Sequence, residues 1–296
     1  MINRINFPIN ELNSMKKYPN ELFYIGNTEL LKKRKISIVG TRHPINYTKE
    51  FTHKLSSSLS SQGFCIVSGA ALGVDAIAHN SAGFNNTIAV VANGLDIKYP
   101  SMNKNLISNI ENQGLVLSAY KEGEKARNYT FVLRNEIVVA LGEILIVTQA
   151  DENSGTLTSI DYALKMGKKV YTLPHRINES LGTQKLVQKG LIEVIYDLNN
   201  FIEKISGKKF GHTQKDEILE FCSTNPNYEE AFSKFPNKLF EYELEGKIEI
   251  KNGKVYVLWF ILFPVFNKIK YPKIPDINEP INIAILSVYE KTLEST

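Results

Sequence analysis

Residues 68–82, SGAALGVDAIAHNSA, follow the apolar run FCIV and decide the fold class. Small residues separate Gly69 from Gly73, and a segment with helical apolar spacing comes next. The pattern predicts a strand that enters a tight turn and opens a helix. Such a turn binds phosphate, because free N–H groups and the positive end of the helix dipole point at the ligand. The phosphate could belong to a dinucleotide cofactor, a free nucleotide or the backbone of a nucleic acid.

Strand-like and helix-like segments alternate along residues 35–174. The strands are apolar throughout, which indicates a parallel sheet covered by helices on both faces. They are KISIVG (35–40), FCIVSG (64–69), TIAVVANG (87–94), LVLSAY (115–120), ILIVTQA (144–150) and KKVYTLP (168–174). Helices are predicted over 47–61, from about 75, and over 104–112, 135–141 and 157–166. The predicted fold is α/β, a doubly wound, mostly parallel, extended Rossmann-like sheet.

Ligands of doubly wound sheets bind outside the carboxyl ends of the strands. Here those ends carry GTR (40–42), SGAALG (68–73), NGLD (93–96) and DENSGT (151–156). The dinucleotide fingerprint requires G-x-G-x-x-G after the first strand, whereas VGTRHPINY (39–47) has one glycine and a bulky arginine. The glycine-lysine-serine or glycine-lysine-threonine of a P-loop follows none of the strands. We therefore expect no cofactor.

The 296 residues suffice for one large and one small domain. Residues 1–34 form a lead-in segment, and residues 35–204 form the Rossmann-like domain. The polar, glycine-containing stretch 205–215 predicts a linker. Residues 216–260 carry three short helical patterns and a hairpin with an Asn-Gly turn, which predict a winged-helix domain. The tail, 261–296, has no assigned role.

The small domain has the wrong charge for a reader of DNA grooves. Residues 214–258 hold six lysines and nine acids, a net charge of −3. Groove readers need basic side chains to contact the phosphates. We expect this domain to bind protein or to pack within the molecule.

Composition and charge place the chain among ordinary globular proteins, with 43% hydrophobic residues and a formal net charge of +4. The N-terminus lacks the apolar core of a signal peptide. The longest apolar run, 257–266, is too short to span a bilayer and is broken by Pro264. Two cysteines indicate no disulfide framework, and the five histidines have no metal-ligand spacing. We expect a cytoplasmic protein without a membrane segment or a metal.

Arg42 is the most informative single residue. It directly follows a strand-terminal glycine, in the crevice where this fold binds ligands. An arginine fork in that position suits bidentate recognition of phosphate. The alternative is a structural salt bridge to a nearby acid such as Asp75.

The segment 121–135, KEGEKARNYTFVLRN, is predicted to be a loop and is a second candidate. It interleaves Lys125, Arg127 and Arg134 with aromatic residues that include Phe131. A single-strand binder needs this combination, because cations follow the backbone and rings stack on unpaired bases. The alternative is a solvated loop with Phe131 in the core.

A second phosphate site is indicated by SGTLTS (154–159), in which small residues open a helix. Neither a nucleophile elbow nor a pair of carboxylates suited to acid–base chemistry stands out. The sequence therefore favours a binding protein over an enzyme.

Taken together, the motifs resemble one family, the DNA-processing proteins A, also called DprA or Smf. The resemblance covers about residues 18–195, with the family's order and spacing. Its motifs are VGTR (39–42), SGAALGVDAIAH (68–79), TIAVVANGLDIKYPSMN (87–103), FVLRN (131–135) and SGTLTSIDYAL (154–164). It implies a cytosolic single-stranded DNA-binding protein of natural transformation. Such a protein protects incoming DNA, loads a RecA-type recombinase, forms a homodimer and has no established catalytic activity.

The resemblance also implies a set of DNA-binding residues. Carried over by motif, they are Gly40, Thr41, Arg42, Ser68, Gly69, Phe131, Arg134, Asn135, Ser154, Gly155 and Thr156. Lys125 and Arg127 join them by proximity in the predicted loop. The chain departs from the family pattern in three places: FVLRN replaces FPxRN, Glu136 stands where a base often follows, and Ala119 replaces an acid.

An enzyme of similar fold is the alternative function, a nucleotide phosphoribohydrolase of the lysine-decarboxylase-like (LOG) type. That family resembles PGGxGTxxE at the turn that corresponds to SGTLTS. Thr158 and Ser159 stand near the position of its glutamate, so the expected carboxylate is absent from this sequence. DNA binding is therefore the favoured interpretation.

Overall fold

The computed structural model describes residues 2–208, 217–244 and 247–257. The chain divides into two compact units, Met1–His212 and Thr213–Thr296. The predicted tail at 261–296 and residues 209–215 of the predicted linker lie outside the described residues.

A single sheet runs through the first unit, in the order β1-β2-β6-β5-β4-β3-β7-β8-β9. The strands from β3 to β9 are parallel to one another, and β1 and β2 are antiparallel additions at one edge. The strands are β1 (Asn3–Arg4), β2 (Phe23–Gly26), β3 (Lys35–Val39), β4 (Cys65–Ser68), β5 (Thr87–Val91), β6 (Leu115–Ser118), β7 (Leu145–Val147), β8 (Val170–Thr172) and β9 (Glu193–Val194). The predicted α/β, mostly parallel sheet is confirmed.

Helices connect the parallel strands. They are α1 (Asn46–Ser61), α2 (Val74–Ala82), α3 (Lys104–Gln113), α4 (Asn128–Leu141), α5 (Thr156–Lys165), α6 (Leu181–Gln188) and α7 (Leu198–Ser206). Short 3-10 turns occupy Asn10–Ser14, Thr28–Lys32, Phe84–Asn86 and Ser101–Asn103. Helix α7 continues to Ser206, so the first residues of the predicted linker are helical rather than extended.

The apolar core lies on both faces of the sheet. On one face, α4, α5 and the turn Asn10–Ser14 pack on buried strand residues such as Val67 and Val147. On the other face, α1, α2 and α7 cover Ile38 and Ile146. Alternate residues of each strand thus face opposite layers, which explains why the strands are apolar throughout.

The lead-in segment belongs to this unit. It supplies β1 and β2, and the Lys16 N–H donates to a carboxylate oxygen of Glu136 on α4 at 2.9 Å. The Lys35 ammonium is buried where it contacts Glu11 at 2.6 Å and donates to the carbonyl of Leu31. The sequence pattern predicted neither strand, because β1 has only two residues and the apolar run LFYI (22–25) that enters β2 is short.

Helix α4 begins at Asn128 rather than at residue 135, so the prediction of a loop over 121–135 is wrong from residue 128 onward. The Thr130 hydroxyl accepts a hydrogen bond from the Arg127 N–H at 2.8 Å and caps the first turn. The buried Tyr120 hydroxyl donates to the Thr130 carbonyl at 3.1 Å. The first turn, 128–131, holds two polar and two aromatic residues and lacks helical apolar spacing, so the sequence did not indicate a helix there.

In the second unit, the described residues contain three helices and a hairpin. These are α8 (Glu217–Cys222), α9 (Tyr228–Lys234), α10 (Pro236–Leu244), β10 (Ile248–Lys251) and β11 (Lys254–Val257). Asn252 and Gly253 join the two strands with φ of 52° and 71°, the backbone that a two-residue hairpin turn requires. The assignment as a winged-helix domain stays a prediction.

None of the helices in the described ranges combines the length and the apolar character that crossing a membrane requires.

The strand order places a crevice beside β3. Strands β4, β5 and β6 follow on one side of β3, whereas β7, β8 and β9 follow on the other. The connection that follows β3 and the connection that follows β7 therefore run toward opposite edges of the sheet. Ligands of doubly wound sheets bind at this reversal, outside the carboxyl ends of the strands.

The backbone on one side of this crevice depends on Gly73, which has a φ of 76°. A Cβ at this position would lie 2.5 Å from the Thr41 carbonyl oxygen and 2.6 Å from the Arg42 backbone. Gly63 also has a positive φ, 92°, but a Cβ there would meet nothing within 4 Å. A side chain at Gly63 would therefore introduce only backbone strain, whereas one at Gly73 would introduce both strain and steric overlap.

We expect Gly73→Ala to lower the free energy of unfolding by about 1–3 kcal/mol more than Gly63→Ala, because only the former adds overlap with backbone atoms. Urea unfolding of the two variants measures this difference. Equal losses would contradict the tight packing of Gly73 on the segment that carries Arg42.

Candidate nucleic-acid interface

A cavity of about 830 Å³ opens at the carboxyl ends of β3 and β7, at the reversal of strand order. Residues that follow β3, residues 151–156 after β7 and the first two turns of α4 form most of its wall. Nine of the predicted site residues line it: Gly40, Thr41, Arg42, Phe131, Arg134, Asn135, Ser154, Gly155 and Thr156. The structure thus brings together segments that are far apart in the sequence.

Three helices begin at this cavity. Asn128 and Thr156, the first residues of α4 and α5, are part of the lining, and α2 begins next to the lining residue Asp75. Each helix N-terminus carries a partial positive charge from its free N–H groups. Their convergence favours an anionic ligand.

The turn after β7 is held against the end of β3. The Thr156 hydroxyl donates to the Gly40 carbonyl at 3.2 Å, and the Thr156 N–H donates to the Ser154 hydroxyl at 3.2 Å. Gly155 is exposed between them. The turn therefore presents the start of α5 to the same space as the segment that carries Arg42.

Arg42 is exposed at the rim of the cavity. Within the described ranges, no carboxylate pairs with its guanidinium, whose central carbon lies 5.7 Å from the centre of the Phe131 ring. The alternative of a salt bridge between Arg42 and Asp75 is wrong, because Asp75 pairs with Arg134 instead. The Arg42 fork is thus available for a ligand.

Arg134 and Asp75 form a buried ion pair. Their nearest nitrogen and oxygen atoms are 3.6 Å apart, and each residue is only 5% exposed. Burial raises the pKa of Asp75, and the charge of Arg134 opposes this rise. Arg134 lines the cavity, but its charge is already matched by a carboxylate of the chain.

The turn after β4 holds this carboxylate. Asp75 accepts a hydrogen bond from the Ala71 N–H at 3.3 Å. Ser68 is fully buried, and its hydroxyl donates to the Ile38 carbonyl at 2.6 Å. A Cβ at Gly69 would overlap the Arg134 guanidinium. The chain's own carboxylate therefore uses the Ala71 N–H, one of the donors that the sequence predicted to be open to a phosphate.

Lys125 and Arg127 are exposed and lie outside the lining of the cavity. They precede α4, on the segment that leads from β6 to the cavity edge. The structure does not bring them into the cluster around Arg42. Their role in DNA binding stays a prediction.

The wall of the cavity also carries acids. Asp151 and Glu152 line it after β7, and Glu152 forms an ion pair with Lys185. Thr158 and Ser159, in the first turn of α5, also line the cavity. The positive character of the site therefore comes from Arg42 and the helix N-termini rather than from a dense basic patch.

Metal-binding chemistry finds no support in the part of the chain that the structure describes. That part contains no group of three or more His, Cys, Asp and Glu residues able to hold a metal ion. Cys65 and Cys222 are buried, and neither takes part in a disulfide. Burial lowers the pKa of His79 to about 3, so this residue is neutral near pH 7.

Two further residues lie near the site. The Tyr99 ring, which the sequence did not single out, lies 6.1 Å from the Phe131 ring. Asn93, the first residue of the predicted strand end NGLD (93–96), is buried shortly after β5. Both residues occur in the family motif TIAVVANGLDIKYPSMN (87–103), which is the feature of the sequence that could have indicated them as site residues. Their proximity to α4 depends on a long-range contact that the sequence does not reveal.

The chain belongs to the family of DNA recombination-mediator protein A, whose profile matches residues 1–206. DNA processing protein DprA of Streptococcus pneumoniae is 38% identical over 184 residues, which cover 61% of this chain and 65% of that protein. The Bacillus subtilis DprA is 33% identical over 208 residues, with coverages of 69% and 70%. Protein Smf of Synechocystis is 36% identical over 195 residues, and the chain spans only 49% of its length.

Solved structures agree with this assignment. The chain is similar to DNA processing protein A from Helicobacter pylori, with a TM-score of 0.68 and 37% identity over 69% of this chain and 95% of that one. The H. pylori work describes a single-stranded DNA binding mode for that protein. DprA from S. pneumoniae has a TM-score of 0.63 and 33% identity, with coverages of 69% and 73%.

Removal of the buried cation tests the ion pair. In Arg134→Met, Asp75 stays buried without its partner, and we expect a loss of about 3–5 kcal/mol in the free energy of unfolding near neutral pH. The loss of the guanidinium raises the pKa of Asp75 further. At acidic pH, Asp75 is protonated in both the folded and the unfolded state, so the missing partner costs least there. As the pH rises, the unfolded state loses the proton before the folded state does, and the loss in the free energy of unfolding grows.

Urea unfolding between pH 4 and pH 8 measures this dependence. The double variant Asp75→Asn/Arg134→Met lacks the carboxylate and serves as the control, with a stability difference from the wild type that varies less with pH. A loss in Arg134→Met that is constant across this range would show that the pair does not control the charge of Asp75.

Proposed function

We propose that the chain binds single-stranded DNA in the cavity at the ends of β3 and β7, as a protein of natural transformation. It protects incoming DNA and loads a RecA-type recombinase onto it, and it acts by binding rather than by catalysis. The observation that carries the proposal is Arg42, an exposed cation without a carboxylate partner among the described residues, beside the half-buried Phe131 ring. Family membership supports the cellular role.

Phosphate recognition follows from the charges at the cavity. The Arg42 guanidinium offers a planar fork that matches phosphate oxygens. The N-termini of α4 and α5 add partial positive charge, whereas the N-terminus of α2 already holds the Asp75 carboxylate in its first turn. A DNA strand that passes from Arg42 to the turn at Ser154–Gly155–Thr156 meets these donors in succession.

The preference for a single strand follows from Phe131. The central guanidinium carbons of Arg42 and Arg134 lie 5.7 Å and 5.6 Å from the centre of its ring. An aromatic face beside cations binds an unpaired base by stacking. Bases within a duplex are already stacked on their neighbours and offer no free face.

The partners belong to the proposal as well. A homodimer and a contact with a RecA-type recombinase are supported by the family to which the chain belongs. The acidic second unit suits a protein partner better than DNA, because its net charge repels phosphates. Within the cavity, hydroxyl groups at Thr158 and Ser159 give no support to a phosphoribohydrolase.

Substitution of Arg42 tests phosphate binding. With oligothymidylate over a salt series, log K falls as log[salt] rises, and we expect Arg42→Ala to reduce the magnitude of that slope by about 0.7, the share of one phosphate contact in a single strand. Fluorescence anisotropy measures the affinities. Lys165→Ala is the matched control, because Lys165 is an exposed cation in the last turn of α5, at the opposite end from the cavity.

An unchanged slope in Arg42→Ala would overturn the assignment of the cavity. So would an equal loss in Lys165→Ala, since that result would indicate binding through overall charge. Duplex DNA of the same length is the second ligand, and tighter binding of the duplex would contradict the preference for a single strand.

Stacking is tested through Phe131. We expect Phe131→Leu to weaken binding of oligothymidylate about 5- to 150-fold, as loss of one aromatic–base contact does. An abasic oligomer of the same length keeps the phosphates and removes the bases, so its affinity should depend on Arg42 but not on Phe131. Phe7→Leu, an exposed phenylalanine outside the cavity lining, is the control. Equal losses on both oligomers would assign Phe131 a structural role only.

A further inference from the structure

The loop after β8 lies beside the cavity and has no assigned role. Residues 175–180 connect β8 to α6, and β8 is the parallel neighbour of β7. The loop therefore leaves the sheet at the same edge as the turn after β7, which forms part of the cavity wall. Leu181, the first residue of α6, lines the cavity, whereas residues 175–180 lie outside the lining. The loop thus borders the proposed binding site.

An unpaired cation lies on this loop. Arg176 is exposed, and within the described ranges its guanidinium has no carboxylate partner. Glu179, the acid of this loop, instead accepts a hydrogen bond from the Arg176 N–H at 3.3 Å. The same carboxylate lies 4.0 Å from Nδ1 of His175. Because Glu179 faces the backbone and the histidine, the Arg176 guanidinium can bind an external anion.

The loop holds Arg176 in a fixed backbone position. Asn178 and Ser180 have φ of 68° and 52°, left-handed conformations that are uncommon outside glycine. The buried Ser180 hydroxyl accepts a hydrogen bond from the Ala150 N–H at 2.8 Å, which ties the loop to the segment after β7. The Gln184 side chain on α6 donates to the Arg176 carbonyl at 2.6 Å. A loop that is ordered before binding loses little conformational entropy when its arginine contacts a ligand.

The strand order sets the position of Arg176 relative to the other donors. Strands β3, β7 and β8 are consecutive neighbours, and their carboxyl ends lead to Arg42, the turn 154–156 and Arg176. Neighbouring strands are about 4.8 Å apart, so β3 and β8 are separated by about 10 Å. The cavity wall after β7 also carries Asp151 and Glu152. A DNA strand that crosses this acidic part of the wall needs a cation beyond it, and Arg176 follows the next strand of the sheet.

We propose that Arg176 binds a phosphate of the same DNA strand that Arg42 holds. The DNA then crosses the carboxyl ends of β3, β7 and β8 in that order, and Arg176 marks the side of the sheet on which it leaves the cavity. This inference rests on the proposed function and extends it. It adds a phosphate contact outside the cavity lining and gives the bound DNA a direction across the sheet.

Salt dependence tests this contact in the full chain. With an oligothymidylate of about 16 nucleotides, we expect Arg176→Ala to reduce the magnitude of the salt slope by about 0.7 and Arg42→Ala/Arg176→Ala to reduce it by about 1.4, the shares of one and two phosphates in a single strand. Arg176→Lys keeps the charge and should keep the slope of the wild type. Arg4→Ala is the control, because Arg4 is an exposed arginine on β1, at the edge of the sheet remote from β8.

Titration at protein concentrations well above Kd measures how many DNA strands bind per chain. Equal stoichiometry in the wild type and Arg176→Ala supports one shared strand, whereas a lower value in the variant would assign Arg176 to a separate site and overturn the proposal. An unchanged slope in Arg176→Ala, a slope in Arg176→Lys as low as that of Arg176→Ala, or an equal reduction in Arg4→Ala would also overturn it. If Arg42→Ala still lowers the slope in that case, the proposed function stands. A wild type whose affinity does not depend on salt would overturn both.

Discussion

The Asp75 carboxylate and the Arg134 guanidinium meet 3.6 Å apart at the carboxyl edge of the sheet, and the site is built around this contact. The pair joins α2 to α4 across the turn after β4. Because both groups are buried, neither is stable there without the other. Gly69 leaves room for the guanidinium where a side chain would overlap it. Phe131 lies one helical turn before Arg134, so the ion pair also sets the position of the aromatic ring.

Because of this pair, the two arginines at the cavity have different roles. Arg134 is matched by a carboxylate inside the fold, whereas Arg42 lies at the rim without one among the described residues. Burial lowers the pKa of Arg134, the charge of Asp75 opposes this, and the charge of Arg42 adds to the lowering, which places the two guanidiniums in one electrostatic environment. Both guanidiniums lie within 6 Å of the centre of the Phe131 ring, at 5.7 Å and 5.6 Å. Arg134 thus stabilises the wall of the cavity, and Arg42 can bind a ligand.

The contacts also explain one departure from the family pattern. Glu136 stands where a basic residue is common, yet it is buried and accepts a hydrogen bond from the Lys16 N–H. It ties the lead-in segment to α4 on the side of the helix that packs into the core. A basic residue at this position would leave that N–H without its acceptor, so the substitution is compatible with the fold and lies outside the cavity lining.

The sequence by itself determined the parallel sheet, the strand ends that form the cavity and most of the residues in its lining, because apolar strands and glycine turns are local patterns. It did not reveal the early start of α4, whose first turn depends on a Thr130 cap and on Tyr120 rather than on apolar spacing. Nor did it reveal that Asp75 fills the turn at 68–73. Only the tertiary structure decided which arginine pairs with Asp75 and which stays free, because that choice depends on how α2 and α4 pack across the end of β4.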